Sequence, residues 1–157
     1  MGLFSFLKKA GEKIFNKEDV EAKEEADKAA AEARKANLLR EIVESLGFEV
    51  EELNVSLEGD VVTVSGKTNS QAEKEKVILA LGNVDGVAAV DDRLEVEADE
   101  PEATFYEVKS GDTLSKIAKA HYGDAMKYME IFEANKPLLK DPNKIYPGQT
   151  LRIPPLD

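Results

Sequence analysis

The stretch that decides the fold reads YEVKSGDTLSKIAKAHYG at residues 106–123, then FEANKP at 132–137 and DPNKIYPGQTLRIP at 141–154. Tyr106, Glu107 and Val108 have the composition of an edge strand, and residues 110–114 that of a tight turn into a helix. Gly111 can take a positive φ before that helix, and Asp112 or Thr113 can cap its free N–H groups. Pro137 marks the stop of a second helix, because proline disfavours α geometry in the residue before it. Pro147-Gly148 is turn chemistry with Pro at i+1 and Gly at i+2. It leads into a last strand from Thr150 to Ile153. The predicted order is βααβ.

Upstream, residues 37–97 carry the pattern of a second compact unit. Leu38, Leu39, Ile42, Val43 and Leu46 form an apolar helical stripe that Gly47 can terminate. Leu53, Val55 and Leu57 alternate with polar residues as a strand does. Gly59-Asp60 supplies a turn, and Val62 and Val64 lie on a return strand ending at Ser65-Gly66. Asn69 or Ser70 can cap a helix carrying Ala72, Val77, Ile78 and Leu81, which Gly82 ends. Val87, Val90, Leu94 and Val96 suit a final strand, giving αββαβ. Residues 98–104, ADEPEAT, contain Pro101 and no large apolar side chain and read as a linker. Residues 18–36, rich in Ala, Glu and Lys, have high helix propensity and few large apolar residues, so a solvated helix or linker is expected. Residues 3–15 place Leu3, Phe6, Leu7, Ala10 and Ile14 at loosely helical spacing, interrupted by Gly11. The expected fold class is α+β, with two small domains at 37–97 and 105–157 after a helical N-terminal segment at 1–36.

Composition bounds the function. The 157 residues carry a net charge of −11 and include no cysteine and one histidine. Disulfides, thiolate metal sites and thiol catalysis are thereby excluded. The acidity is concentrated in residues 17–100, where ten Lys/Arg face twenty-three Asp/Glu. Nucleic acid is a poor partner for such a surface, and anionic membranes are disfavoured for the same reason. No run approaches the roughly 18 apolar residues of a membrane span. The opening Met1-Gly2-Leu3-Phe4-Ser5-Phe6-Leu7-Lys8-Lys9 lacks the basic-then-apolar order of a secretory signal, and Phe6 breaks the myristoylation pattern. A cytoplasmic monomer is expected.

Conventional catalysis finds no support. His121 has no second His or Cys to complete a nucleophilic relay, and there is no phosphate-binding glycine motif. A helix-end histidine of this kind caps or packs. Residues 81–92 fail as a calcium loop, because Leu81 stands where a carboxylate is needed and Asp92 where a bidentate Glu is usual. Asp91 and Asp92, as strand neighbours, would point to opposite faces; a charged, solvated turn is the expectation there. The loop at 82–87 has another capacity. Its two glycines let successive carbonyls turn toward one point, and the helix ending at Gly82 offers unpaired C=O groups. Neutral carbonyl oxygens are what selects potassium. Spacing alone leaves open the plainer reading, in which Gly82 ends a helix and Gly86 makes a turn.

The motifs at 106–154 resemble a LysM module, a small non-catalytic binding unit. The hairpin at 61–66 and the run GNVDGVAAVDDRLEV at 82–96 resemble a BON domain. One of each in a short chain, with Ala10-Gly11-Glu12-Lys13 near the start, resembles the bacterial BON–LysM potassium binding proteins. That resemblance implies a potassium ion held by the carbonyls of Gly82, Val84 and Val87, with Leu7, Ala10 and Glu12 of an N-terminal arm completing the cage. It implies no enzyme activity and no cofactor other than K⁺. Resemblance to other LysM modules implies an alternative: peptidoglycan or N-acetylglucosamine polymers gripped between Gly111, Asp112, Thr113, Leu114 and Ile145, Tyr146, Pro147, Gly148, in a protein of cell-envelope maintenance.

Overall fold

The computed structural model describes residues 2–6, 25–84, 86–97 and 102–155. Its first module is a four-stranded sheet built from β1 (Gly2–Ser5), β2 (Val50–Glu58), β3 (Val61–Thr68) and β4 (Ala89–Val96), in the order β1-β4-β3-β2. The β2–β3 hairpin and the β1–β4 pair are antiparallel; β3 and β4 are parallel. The parallel pair needs a crossover, which α2 (Gln71–Gly82) provides. The fold is α+β, as the two patterns predict.

Helices α1 (Glu25–Ser45) and α2 share one core with the sheet. Leu39 and Val43 of α1 and Val77, Ile78 and Leu81 of α2 meet Val62, Val64, Val90 and Leu94. Ser70 caps α2, its hydroxyl accepting from the Glu73 N–H at 3.1 Å. Gly47 follows α1 with φ +84°.

Four local readings change. The helix α1 begins at Glu25 and runs through position 36, so the Ala-rich segment is not merely solvated. Ala31 and Ala36 are buried along with Leu39 and Val43; small side chains let a helix approach closely without a large apolar stripe. Strand β3 continues past Gly66 to Thr68. Gly66 sits in the strand because a Cβ there would lie 2.8 Å from the Glu51 carbonyl, opposite the register shift between Glu51 and Asn54. Residues 2–5 form an edge strand rather than a helical first turn: pairing with the open edge of β4 satisfies more backbone groups than an isolated turn does. Asp91 and Asp92 lie within β4, not in a turn. They alternate as strand neighbours should. Asp92 is buried, with Lys74 Nζ at 3.3 Å and the Leu94 N–H at 2.9 Å, while Asp91 pairs with Arg93.

The second module packs β5 (Thr104–Glu107) against β6 (Thr150–Ile153), with α3 (Leu114–Tyr122), a single 3₁₀ turn (Ala125–Lys127) and α4 (Tyr128–Ala134) between them. Val108, Leu114, Ile117, Ile131, Phe132 and Leu151 are buried in its own core.

Candidate functional site

Helix α2 ends at Gly82, and the Asn83 N–H closes it by donating to the Leu79 carbonyl at 2.9 Å. The chain then turns: the Val87 N–H donates to the Val84 carbonyl at 3.1 Å, and Gly86 takes φ +102°, a value suited to glycine. Val84 and Val87 bury their side chains in the core. Among the described residues, no N–H is paired with the Gly82 or Val87 carbonyl. The Val84 carbonyl accepts one bond among the described residues. Gly82, Val84 and Val87 are thus brought to one turn.

The N-terminal strand arrives at the same turn. The Phe6 N–H donates to the Ala88 carbonyl at 2.8 Å. The tip of the Phe6 ring, Cζ with Cε1 and Cε2, lies against Gly82, so that a Cβ at Gly82 would fall within the ring's van der Waals envelope. The absence of a side chain at position 82 is therefore what seats the N-terminal strand. Leu7, Ala10 and Glu12 lie outside the described residues.

The other side of the turn is tied to the second module. The Asn83 side chain bonds the main chain of Thr150 twice: Nδ2 donates to the carbonyl and Oδ1 accepts from the N–H, both at 2.9 Å. One residue in the candidate loop thus mimics a strand partner for β6. Nearby, Glu75 of α2 meets Arg152 of β6. Glu75 Oε1 accepts from Arg152 Nη2 at 2.8 Å and from Nε at 3.0 Å, and both residues are almost fully buried. The other carboxylate oxygen accepts from the Ala103 N–H at 2.8 Å, and Arg152 Nη1 donates to the Ala134 carbonyl at 2.9 Å. Burial, with the Arg152 guanidinium close by, lowers the Lys76 ammonium below the usual lysine range. Phe4 stacks on Phe105, with ring centroids 5.1 Å apart. Strand β1 therefore touches both modules.

The two LysM-like loops are also neighbours. The Gly148 N–H donates to the Val108 carbonyl and the Val108 N–H to the Gln149 carbonyl, each at 2.8 Å. The sequence-predicted turn is present: the Gln149 N–H donates to the Tyr146 carbonyl at 3.1 Å, and Gly148 has φ +91°. Thr113, not Asp112, caps α3, accepting from the Lys116 N–H at 3.1 Å. Asp112 accepts from the Tyr106 hydroxyl at 2.6 Å and the Lys109 N–H at 2.8 Å. The Tyr106 hydrogen bond, then the Lys109 one, holds its carboxyl below the usual range, and the same contact raises the Tyr106 phenol. Leu114 is buried in the core, Ile145 packs against it, and Pro147 is exposed. The oxygens of Asp112 and Thr113 are thus engaged in shaping their own loop. His121 packs edge-on to Tyr106. Among the described residues, no group of three or more His, Asp or Glu side chains is placed to hold a metal ion, and no helix is long and apolar enough to cross a membrane.

These two modules and their seam make a pair of small joined domains, and comparison with known proteins gives them their class. The BON domain family matches residues 30–98, and the LysM domain family residues 106–154. The chain belongs to the BON–LysM potassium binding protein family. In particular, it is 44% identical to the Escherichia coli protein named Potassium binding protein Kbp over 155 residues, covering 98% of this chain and 99% of that one. A Deinococcus radiodurans protein described as uncharacterized is 36% identical over 113 residues, which is 65% of this chain and 44% of its own length.

Sequence reasoning missed the Glu75–Arg152 pair and the Asn83–Thr150 contacts. Each joins residues far apart in the chain, and Glu75 stands in a helix already full of acidic and basic residues.

Proposed function

We propose that this chain binds a potassium ion with main-chain carbonyls of Gly82, Val84 and Val87, completed by Leu7, Ala10 and Glu12. The observation that carries the reading is the seat of Phe6 on Gly82, which brings the N-terminal strand to a turn where, among the described residues, the Gly82 and Val87 carbonyls have no N–H partner. The potassium binding named for the Escherichia coli relative supports it. Carbonyl oxygens can replace the hydration shell of a large monovalent cation, and an acidic first module raises the local cation concentration. The ion favours whichever arrangement binds it, so it shifts the population toward the closed form. The protein then acts as a cytoplasmic potassium sensor or buffer.

Potassium at about 100 times its Kd should add ~2.7 kcal/mol of stability. For a chain of this length that raises the melting temperature by roughly 5–11 °C. Sodium and lithium at equal ionic strength should do little. Thermal melts in the three chlorides make the comparison, with a chain lacking residues 2–15 as control. Equal melting temperatures in all three salts, or an undiminished potassium response in the truncated chain, refute the cage.

Asn83 links this turn to β6. Asn83→Ala leaves the Thr150 main chain without its partner at a part-buried seam, a loss of about 1–3 kcal/mol. The expected outcome is a lower melting temperature together with a weaker potassium response. A variant with intact potassium affinity would show that β6 does not position the loop.

The LysM loops favour a second reading, attachment to peptidoglycan, because Val108 and Gly148 hold the two loops side by side. Co-sedimentation with purified murein tests it.

A further inference from the structure

A cavity of about 400 Å³ opens where the two modules meet, on the side of α1 and α2. It falls in the range of roughly 300–1,000 Å³ common for small-molecule sites, which favour domain interfaces. Its walls are partly exposed apolar side chains, Ile42 and Leu46 from α1 and Leu138 from the segment after α4, together with Tyr146. At its rim stand Lys140 and Lys144, both exposed, and neither forms an ion pair among the described residues. The third charged lining group, Asp141, accepts from the Asn143 N–H at 2.9 Å, so the lining sets two ammonium groups against one carboxylate. Asn83 and Gln149 add polar groups to the lining. An apolar trough with a cationic rim, on a chain of net charge −11, is complementary to one kind of guest.

We propose that this cavity is a binding site for a small soluble carboxylate bearing an apolar chain. The chain lies against Ile42, Leu46 and Leu138, and the carboxylate faces Lys140 and Lys144. The site is separate from the carbonyl turn, though Asn83 borders both. The Lys140/Lys144 ammonium groups set the sign of the charge accepted, and the trough sets the need for an apolar body.

The test titrates the full-length ¹⁵N-labelled protein with decanoate at fixed potassium concentration and follows amide shifts. Saturable shifts should appear at Ser45, Leu46, Asn83, residues 138–144 and Gln149. The cationic decyltrimethylammonium should give none there. Lys140→Glu with Lys144→Glu, two exposed changes that leave the fold intact, should weaken decanoate at least about fivefold. The absence of saturable shifts, equal binding of the cationic analogue, or an unaffected double variant overturns the proposal. So do shifts at these residues that depend on protein concentration alone, which would assign the trough to a second copy of the chain.

Discussion

Replacing Gly82 with alanine should dislodge the N-terminal strand and remove most of the response to potassium. The added Cβ would enter the space of the Phe6 ring, whose main chain is held by the bond from its N–H to the Ala88 carbonyl. Overpacking of this kind costs about 1–3 kcal/mol, and displacement of β1 also frees the β4 edge and separates Phe4 from Phe105. Alanine is otherwise favoured over glycine in a helix by about 1 kcal/mol, so a net loss isolates the clash. Phe6→Ala in the same chain should relieve the crowding, recovering part of the stability but not the potassium response, since the arm has lost its anchor. Differential scanning calorimetry in potassium and in sodium chloride reads both quantities. Full potassium stabilisation in Gly82→Ala would show that the seat of Phe6 has no part in binding.

The second large effect is expected at the seam. Arg152→Leu leaves the Glu75 carboxylate buried without its guanidinium, and Glu75→Gln leaves the guanidinium without its carboxylate. Breaking one partner of a buried pair costs about 3–5 kcal/mol. Because both residues are nearly inaccessible, solvent screens this pair far less than the exposed Arg40–Glu44 and Lys136–Glu133 pairs. Glu75→Met combined with Arg152→Leu should recover much of the loss, since an apolar pair of similar volume is often neutral or stabilising. Chemical denaturation of the two single variants and the double variant completes the cycle. Single variants within about 1 kcal/mol of the parent would show that the modules hold together without the pair.

What the sequence made legible follows from the range of the interactions. Turn and cap chemistry is local, so Gly111, Thr113, Pro147-Gly148, Ser70 and Gly47 announce themselves and fall where the pattern puts them. The alternation of Val62, Val64, Val90 and Leu94 is local too, and it marks the sheet face that meets α1 and α2. Strand β1 was not legible. Four residues carry little periodicity, and only the distant edge of β4 makes Gly2–Ser5 a strand. The burial of Ala31 is likewise decided by a neighbour and not by its own hydrophobicity. At the candidate site, the sequence pointed to the glycines of the turn but gave them the wrong reason in part. Gly82 does end α2, yet its missing side chain also makes room for Phe6, a contact between residues 76 positions apart in sequence. Asn83, which ties the turn to Thr150, has no local signature at all. Main-chain ligands leave no mark in residue type, so for the ion itself family resemblance pointed further than composition could.

The carbonyl cage is tested most directly by locating a heavy monovalent substitute for potassium. Crystals of the full chain grown in rubidium or thallium salts would reveal the ion by anomalous scattering. The account predicts one strong peak in coordinating contact with the Gly82, Val84 and Val87 carbonyl oxygens, displaced by excess potassium but not by sodium. A crystal in which that turn holds no peak, while the substitute ion binds elsewhere on the chain, would contradict it.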